Sequence, residues 1–183
     1  MSLLDARFGW RLLVVAALGG LTGGCFQPMY AERTVTGDPA LRDRLSAVDV
    51  SDISTVAPQD ARLGVEVRNG LLFSFTGGSS AAPPTHRLVV RMSTTRTSAI
   101  VDLTTARPDL ENYGIDATYE LREIATNRTV MRAITFARVS YDIPGQEQRF
   151  ARIRGLRDAE SRAAKQIADN ISQRVSSFFV AGT

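Results

Sequence analysis

Hydrophobic and polar positions change period several times along the chain. Residues 12–21 (LLVVAALGGL) are one apolar run. It is far shorter than the roughly 20 residues needed to span a bilayer. Across 47–54 (AVDVSDIS), Val48 and Val50 alternate with polar residues and predict a short strand. Pro58 then opens a helix, with Asp60 near its positive end. Leu63, Val67, Leu71 and Phe75 recur every fourth residue and make one apolar stripe. Gly64 and Gly70 each weaken that helix by about 1 kcal/mol relative to alanine. The stretch 77–84 (GGSSAAPP) breaks the pattern.

From Thr85 the period is two. Leu88, Val90 and Met92 alternate with Arg87, Val89 and Arg91. A long polar connection is expected around 93–110, holding Arg96, Arg107 and Pro108. The strongest alternation follows: Tyr113, Ile115, Ala117, Tyr119 and Leu121 share one face, and Asn112, Gly114, Asp116, Thr118, Glu120 and Arg122 the other. Ala125 to Arg128 makes a hairpin turn, Asn127 being tolerant of left-handed backbone. The return strand, Thr129 to Tyr141, has Met131, Ala133, Thr135, Ala137, Val139 and Tyr141 on one face and Val130, Arg132, Ile134, Phe136 and Arg138 on the other. After Pro144-Gly145 a long helix is predicted over 146–179. Its stripe runs through Ile153, Leu156, Ala159 or Glu160, Ala163, Ile167, Ile171, Val175 and Phe178, with Arg154, Arg157, Glu160, Arg162, Lys165 and Asp169 on the wet side. The order strand, helix, three-strand meander, helix predicts an α+β two-layer sandwich. Two helices would pack on one face of a four-stranded, mostly antiparallel sheet.

The start of the chain adds an address. Arg7 and Arg11 precede the apolar run, and Thr22-Gly23-Gly24-Cys25 follows it. A basic region, a short apolar region and small residues before a cysteine spell an export signal. Cys25 is the one cysteine. An orphan thiol in an oxidising compartment calls for an explanation, and acylation of Cys25 by a bacterial lipoprotein pathway supplies it. The expected organisation is a signal peptide over 1–24, a lipidated linker over 25–46 and a single domain over 47–183. Phe26 stands where aspartate would favour inner-membrane retention, so the outer membrane is expected.

Composition excludes more than it assigns. A net charge of +3 across 183 residues is too small an excess to argue for nucleic acid. Lys165 is the only lysine; the other cations are arginines. Guanidinium suits planar recognition of phosphate or carboxylate. With a single histidine, His86, and a single cysteine, a structural zinc site and a Cys–His pair are excluded. Asp102, Asp109 and Glu111 read as solvated loop carboxylates. Neither a nucleophile–base pair nor a glycine-rich phosphate loop is present. An enzyme is therefore not expected, nor a metal or cofactor.

Several segments, in order, resemble one family. Cys25-Phe26-Gln27-Pro28-Met29-Tyr30 looks like the Cys-x-x-Pro-Leu-Tyr start of the lipopolysaccharide-assembly lipoprotein LptE. Val67-Arg68-Asn69-Gly70-Leu71 is similar to the family's Leu-Arg-Asn-x-Leu. Tyr119-Glu120-Leu121, Ser140-Tyr141, the helix Asp158-Ala159-Glu160-Ser161-Arg162-Ala163-Ala164, then Ile167-Ala168 and Ile171, complete the likeness. Met29 and Val67 replace leucines, and Thr126-Asn127-Arg128 lacks the usual Thr-Gly pair. The resemblance implies an outer-membrane lipoprotein that plugs the barrel LptD, assists its assembly and binds lipopolysaccharide, without enzymatic activity or cofactor. In that picture Arg91, Arg96 and Arg107 would meet lipid phosphates. Ile134 and Phe136, two large apolar side chains on a nominally wet face, would meet the barrel with Arg132 and Arg138 beside them. The alternative is another outer-membrane lipoprotein acting as a binding module, either an auxiliary of phospholipid trafficking or an activator of cell-wall synthases.

Overall fold

A computed structural model describes residues 39–79, 81–100, 108–143 and 149–181. Leu41–Thr183 forms one compact unit. It holds α1 (Leu41–Ser46), β1 (Val48–Val50), β2 (Ser54–Thr55), a 3₁₀ turn (Pro58–Asp60), α2 (Ala61–Thr76), β3 (His86–Ile100), β4 (Pro108–Glu123), β5 (Thr129–Asp142) and α3 (Arg149–Ala181). The order β1, α2, β3–β4–β5, α3 is the one read from the pattern; α1 and β2 are additions to it. The unit begins earlier than the expected 47, because Leu41 and Leu45 of α1 are buried in the core.

β3, β4 and β5 form an antiparallel meander, and β1 and β2 run parallel to β3 along its other edge. Those two short strands pair with successive parts of β3, at His86–Leu88 and at Arg91–Met92. The sheet therefore has five strands occupying four positions. Both long helices lie on one face, as a sheet with one apolar side requires. The core between the layers takes Leu88, Val90 and Met92 from β3 and Tyr113, Ile115, Ala117, Tyr119 and Leu121 from β4, with Ala137 and Val139 from β5. From the helices it takes Leu63, Val67, Leu71, Phe75, Ile167, Ile171 and Val175. The two glycines of α2 have steric reasons. A Cβ on Gly70 would stand 3.1 Å from the Ala168 methyl of α3, and one on Gly64 3.2 Å from the Ile53 carbonyl oxygen.

Three expectations are corrected. The polar connection at 93–110 is mostly strand: β3 continues to Ile100 and β4 starts at Pro108. Thr94, Thr95 and Thr97 are β-branched and suit a pleated surface once β4 is there to pair with. Ile153 is 49% exposed rather than in the stripe of α3. The buried positions extrapolate back through Leu156 to Arg152, which leaves Ile153 one position, about 100°, round the helix. At the other end Phe179 is buried, and Phe178, the residue expected there, packs against the core only partly buried. His86 stacks edge-on against Phe179, with centroids 5.2 Å apart, and its burial lowers its pKa against the opposing charge of Glu123.

Candidate functional site

The outward face of the sheet is read directly from its register. Across β3, β4 and β5 the outward rows are Arg87–Arg122–Thr129, Val89–Glu120–Arg132, Arg91–Thr118–Ile134, Ser93–Asp116–Phe136 and Thr95–Gly114–Arg138. The four residues expected at a partner surface thus lie together on this face. Ile134 is 75% and Phe136 64% exposed.

Arg138 is held by the backbone around it. One of its terminal nitrogens donates to the carbonyl oxygens of Ile115 at 3.1 Å and Ala137 at 3.0 Å. The other donates to the Asp116 carboxylate at 2.7 and 3.0 Å. Its guanidinium carbon lies 5.5 Å from the centre of the Phe136 ring, within cation–π range. Gly114 makes this possible: a Cβ there would stand 2.5 Å from Thr95 Oγ1 and 2.9 Å from Arg138 Cδ. The stem of Arg138 therefore crosses β4 where a side chain is missing.

At the hairpin end Glu120 is clasped by two arginines. Arg122 donates at 2.7 and 3.1 Å, and Arg132 at 2.5 Å. The Arg122 hydrogen bonds, followed by those of Arg132, hold the Glu120 carboxyl below its ordinary range against some desolvation. Beside it Val89, Arg91, Thr118, Glu120 and Arg122 line a hollow of about 60 Å³. Arg91 is exposed there and makes no ion pair among the described residues.

The three arginines expected to meet lipid are not brought together. Arg91 points outward. Arg96, expected in a loop, is inside β3, and its side chain goes to the helix layer. There it lies 5.8 Å from the Tyr113 ring centre and 3.6 Å from Glu160. Arg107 falls outside the described residues. Glu160, expected on the wet side of α3, is largely covered by Arg96 and by Arg62 of α2, with which it is hydrogen-bonded. Below this group the buried Asp60 accepts a 2.6 Å hydrogen bond from Thr94. Burial first, then the charges of Glu160 and Asp60, push the Tyr113 phenol up to about 12. Periodicity alone did not signal this cluster; its members come from five separate elements. It ties layers together and pairs no nucleophile with a base. Among the described residues no three His, Cys, Asp or Glu side chains are grouped to hold a metal. Cys25 lies outside the described residues. No described helix is long and apolar enough to cross a membrane.

This architecture, a mixed-edge antiparallel sheet with two long helices on one face, recurs in solved bacterial proteins of low sequence identity. The chain is similar to a Caulobacter crescentus protein described as a lipoprotein, with a TM-score of 0.58 and 16% identity over 78% of this chain and 97% of that one. It is similar to a DUF330-family protein from Xanthomonas campestris, with a TM-score of 0.50 and 11% identity over 74% of this chain and 87% of that one. Rare lipoprotein B from Shewanella oneidensis aligns at a TM-score of 0.49 and 15% identity, over 73% of this chain and 97% of that one. At such identities the likeness is one of fold. No family model matches the chain, and no curated protein matches it in sequence.

Proposed function

We propose that the chain is an outer-membrane lipoprotein, anchored through acylated Cys25, that acts as a non-enzymatic plug and assembly partner of the LptD barrel and binds lipopolysaccharide in transit. The observation that carries this reading is the outward sheet face. It exposes Ile134 and Phe136 beside Arg132 and Arg138 on a rigid, register-defined surface. Aromatic residues and arginine are enriched in protein interfaces. A sheet face of this kind suits the inner wall of a barrel, and the family resemblance supplies the barrel's identity. The fold's occurrence in lipoproteins and the signal ending at Cys25 support the anchoring. For lipid, Arg91 is the one of the three expected arginines that the reading retains, since Arg96 is engaged with Glu160.

The test is a detergent pull-down from outer membranes of the source bacterium. The wild type is expected to bring down LptD, and Phe136→Asp to lose it while keeping the wild-type melting temperature. A Phe136→Asp chain that retains the barrel at wild-type yield refutes the face. Recovery of phospholipid-transport or cell-wall components without a barrel refutes the partner.

A further inference from the structure

The first two turns of α3 read Arg149-Phe150-Ala151-Arg152-Ile153-Arg154-Gly155-Leu156-Arg157, four arginines and no acid. Further along the same helix Arg174 is exposed without an ion pair among the described residues, while two pairs of exposed charges are matched at i,i+4, Arg162 with Asp158 at 2.7 Å and Lys165 with Asp169 at 3.0 Å. That is how a solvated helix face is stabilised. In the first turns Arg152 reaches Glu111 at 3.4 Å. Arg154 and Arg157 are exposed and make no ion pair among the described residues.

The apolar residues here break the usual pattern too. Phe150 is 83% and Ile153 49% exposed. Phe150, Ile153, Arg154 and Arg157 follow the spacing i, i+3, i+4, i+7 and so form one stripe on one side of the helix. Two apolar side chains lead, and two unmatched guanidinium groups follow one turn behind. An acidic protein surface would match the charge and leave Phe150 and Ile153 unexplained. A purely apolar partner would strand the arginines. A surface that is anionic outside and apolar beneath matches both.

We propose that this stripe docks on an anionic phospholipid bilayer. Phe150 and Ile153 enter the headgroup–acyl boundary, and Arg154 and Arg157 lie back on lipid phosphates, their stems following the apolar surface. The contact is separate from the acyl anchor. The unit's first helix, α1, is fixed at the far end of α3, where Arg44 donates to the Phe179 carbonyl at 3.0 Å. Phe150 is about 45 Å from there along the helix. The domain thus gains a second membrane contact remote from the end at which its chain enters. This inference does not rest on the barrel reading.

The test uses the cleaved chain 26–183, without Cys25, so its result is independent of lipidation. Its compact unit carries a complete core of its own. The one tryptophan of the sequence, Trp10, is absent from this form, so Phe150→Trp introduces a sole indole. Its emission is expected to shift blue with phosphatidylglycerol-containing vesicles and to stay unchanged with pure phosphatidylcholine. Arg154→Ser with Arg157→Ser is expected to weaken vesicle co-sedimentation about 25-fold, roughly five-fold per arginine. Arg128→Ser, an exposed arginine in the turn between β4 and β5, is expected to leave it unchanged. The residues are exposed, so circular dichroism should match the wild type; if the double variant misfolds, the indole shift of Phe150→Trp decides alone. An indole that stays in water with anionic vesicles overturns the proposal. So does an Arg128→Ser chain that loses as much binding as the double variant, since that marks a diffuse charge effect.

Discussion

Two isoleucines test the assignment of the sheet's faces with the same chemical change. Ile167 of α3 is fully buried in the core, and Ile134 of β5 is 75% exposed on the opposite face. Truncating either to alanine removes three carbons. At Ile167 the lost transfer free energy is about 2–2.5 kcal/mol, from roughly 0.8 kcal/mol per buried methylene. The cavity left behind adds to it, because Ile167 belongs with the fully or almost fully buried Leu71, Tyr119 and Ile171 to one core, a close-packed layer that relaxes only partly. The expected cost of Ile167→Ala is therefore about 2–5 kcal/mol. For a unit of this size that lowers the melting temperature by roughly 6–15 °C. Ile134→Ala opens no cavity, and its cost is expected to stay under about 1 kcal/mol, most of it lost strand preference. Thermal unfolding of the cleaved chain, followed by circular dichroism, measures both. Equal shifts for the two variants would refute the division into a core face and an open face, and the partner surface with it.

The remaining predictions address single features. Gly114→Ala should cost about 1–3 kcal/mol through overpacking against Thr95 and Arg138; on a background of Thr95→Ala with Arg138→Ala most of that cost should disappear in a double-mutant comparison. Fully additive losses would show that Gly114 is not there to let Arg138 pass. Tyr113 and Tyr141 have phenols pushed up to about 12, in both cases by burial first, then for Tyr113 by Glu160 and Asp60 and for Tyr141 by its hydrogen bond to Glu111. A folded pKa above the unfolded value of 10 means the stabilisation is intact below pH 10 and is lost as pH rises through 12. An alkaline titration should show late tyrosinate absorbance accompanied by loss of circular dichroism. Ionisation of all tyrosines near pH 10 with the fold intact would contradict it. Cys25→Ser should abolish incorporation of labelled palmitate and leave the signal uncleaved; equal labelling of mutant and wild type would dismiss acylation at this position.

Much of the architecture was legible because it is periodic. Alternation from Tyr113 to Leu121 announces β4 unaided, since each inward residue has an outward polar neighbour and only a strand places them so. Leu63, Val67, Leu71 and Phe75 announce α2 in the same way. Asn127 takes the left-handed backbone expected of it, with φ of 55°. The outward placement of Ile134 and Phe136 was readable as well, once β5 was taken to send its alanines inward. What was not legible depends on neighbours distant in sequence. The run from Ser93 to Ile100 is polar enough to pass for a loop, and it is a strand because β4 supplies its hydrogen bonds. Arg96 faces the helices because Glu160, on a helix that comes much later, is there to receive it. Ile153 is exposed because the face of α3 that meets the sheet is chosen by the whole packed layer, not by the nearest apolar residue. Local periodicity, set by backbone geometry, the sequence determined by itself. Which polar residues are recruited into the layers, and which apolar ones are left outside, only the tertiary structure decided, since burial of charge is tolerated only where a partner from another element meets it.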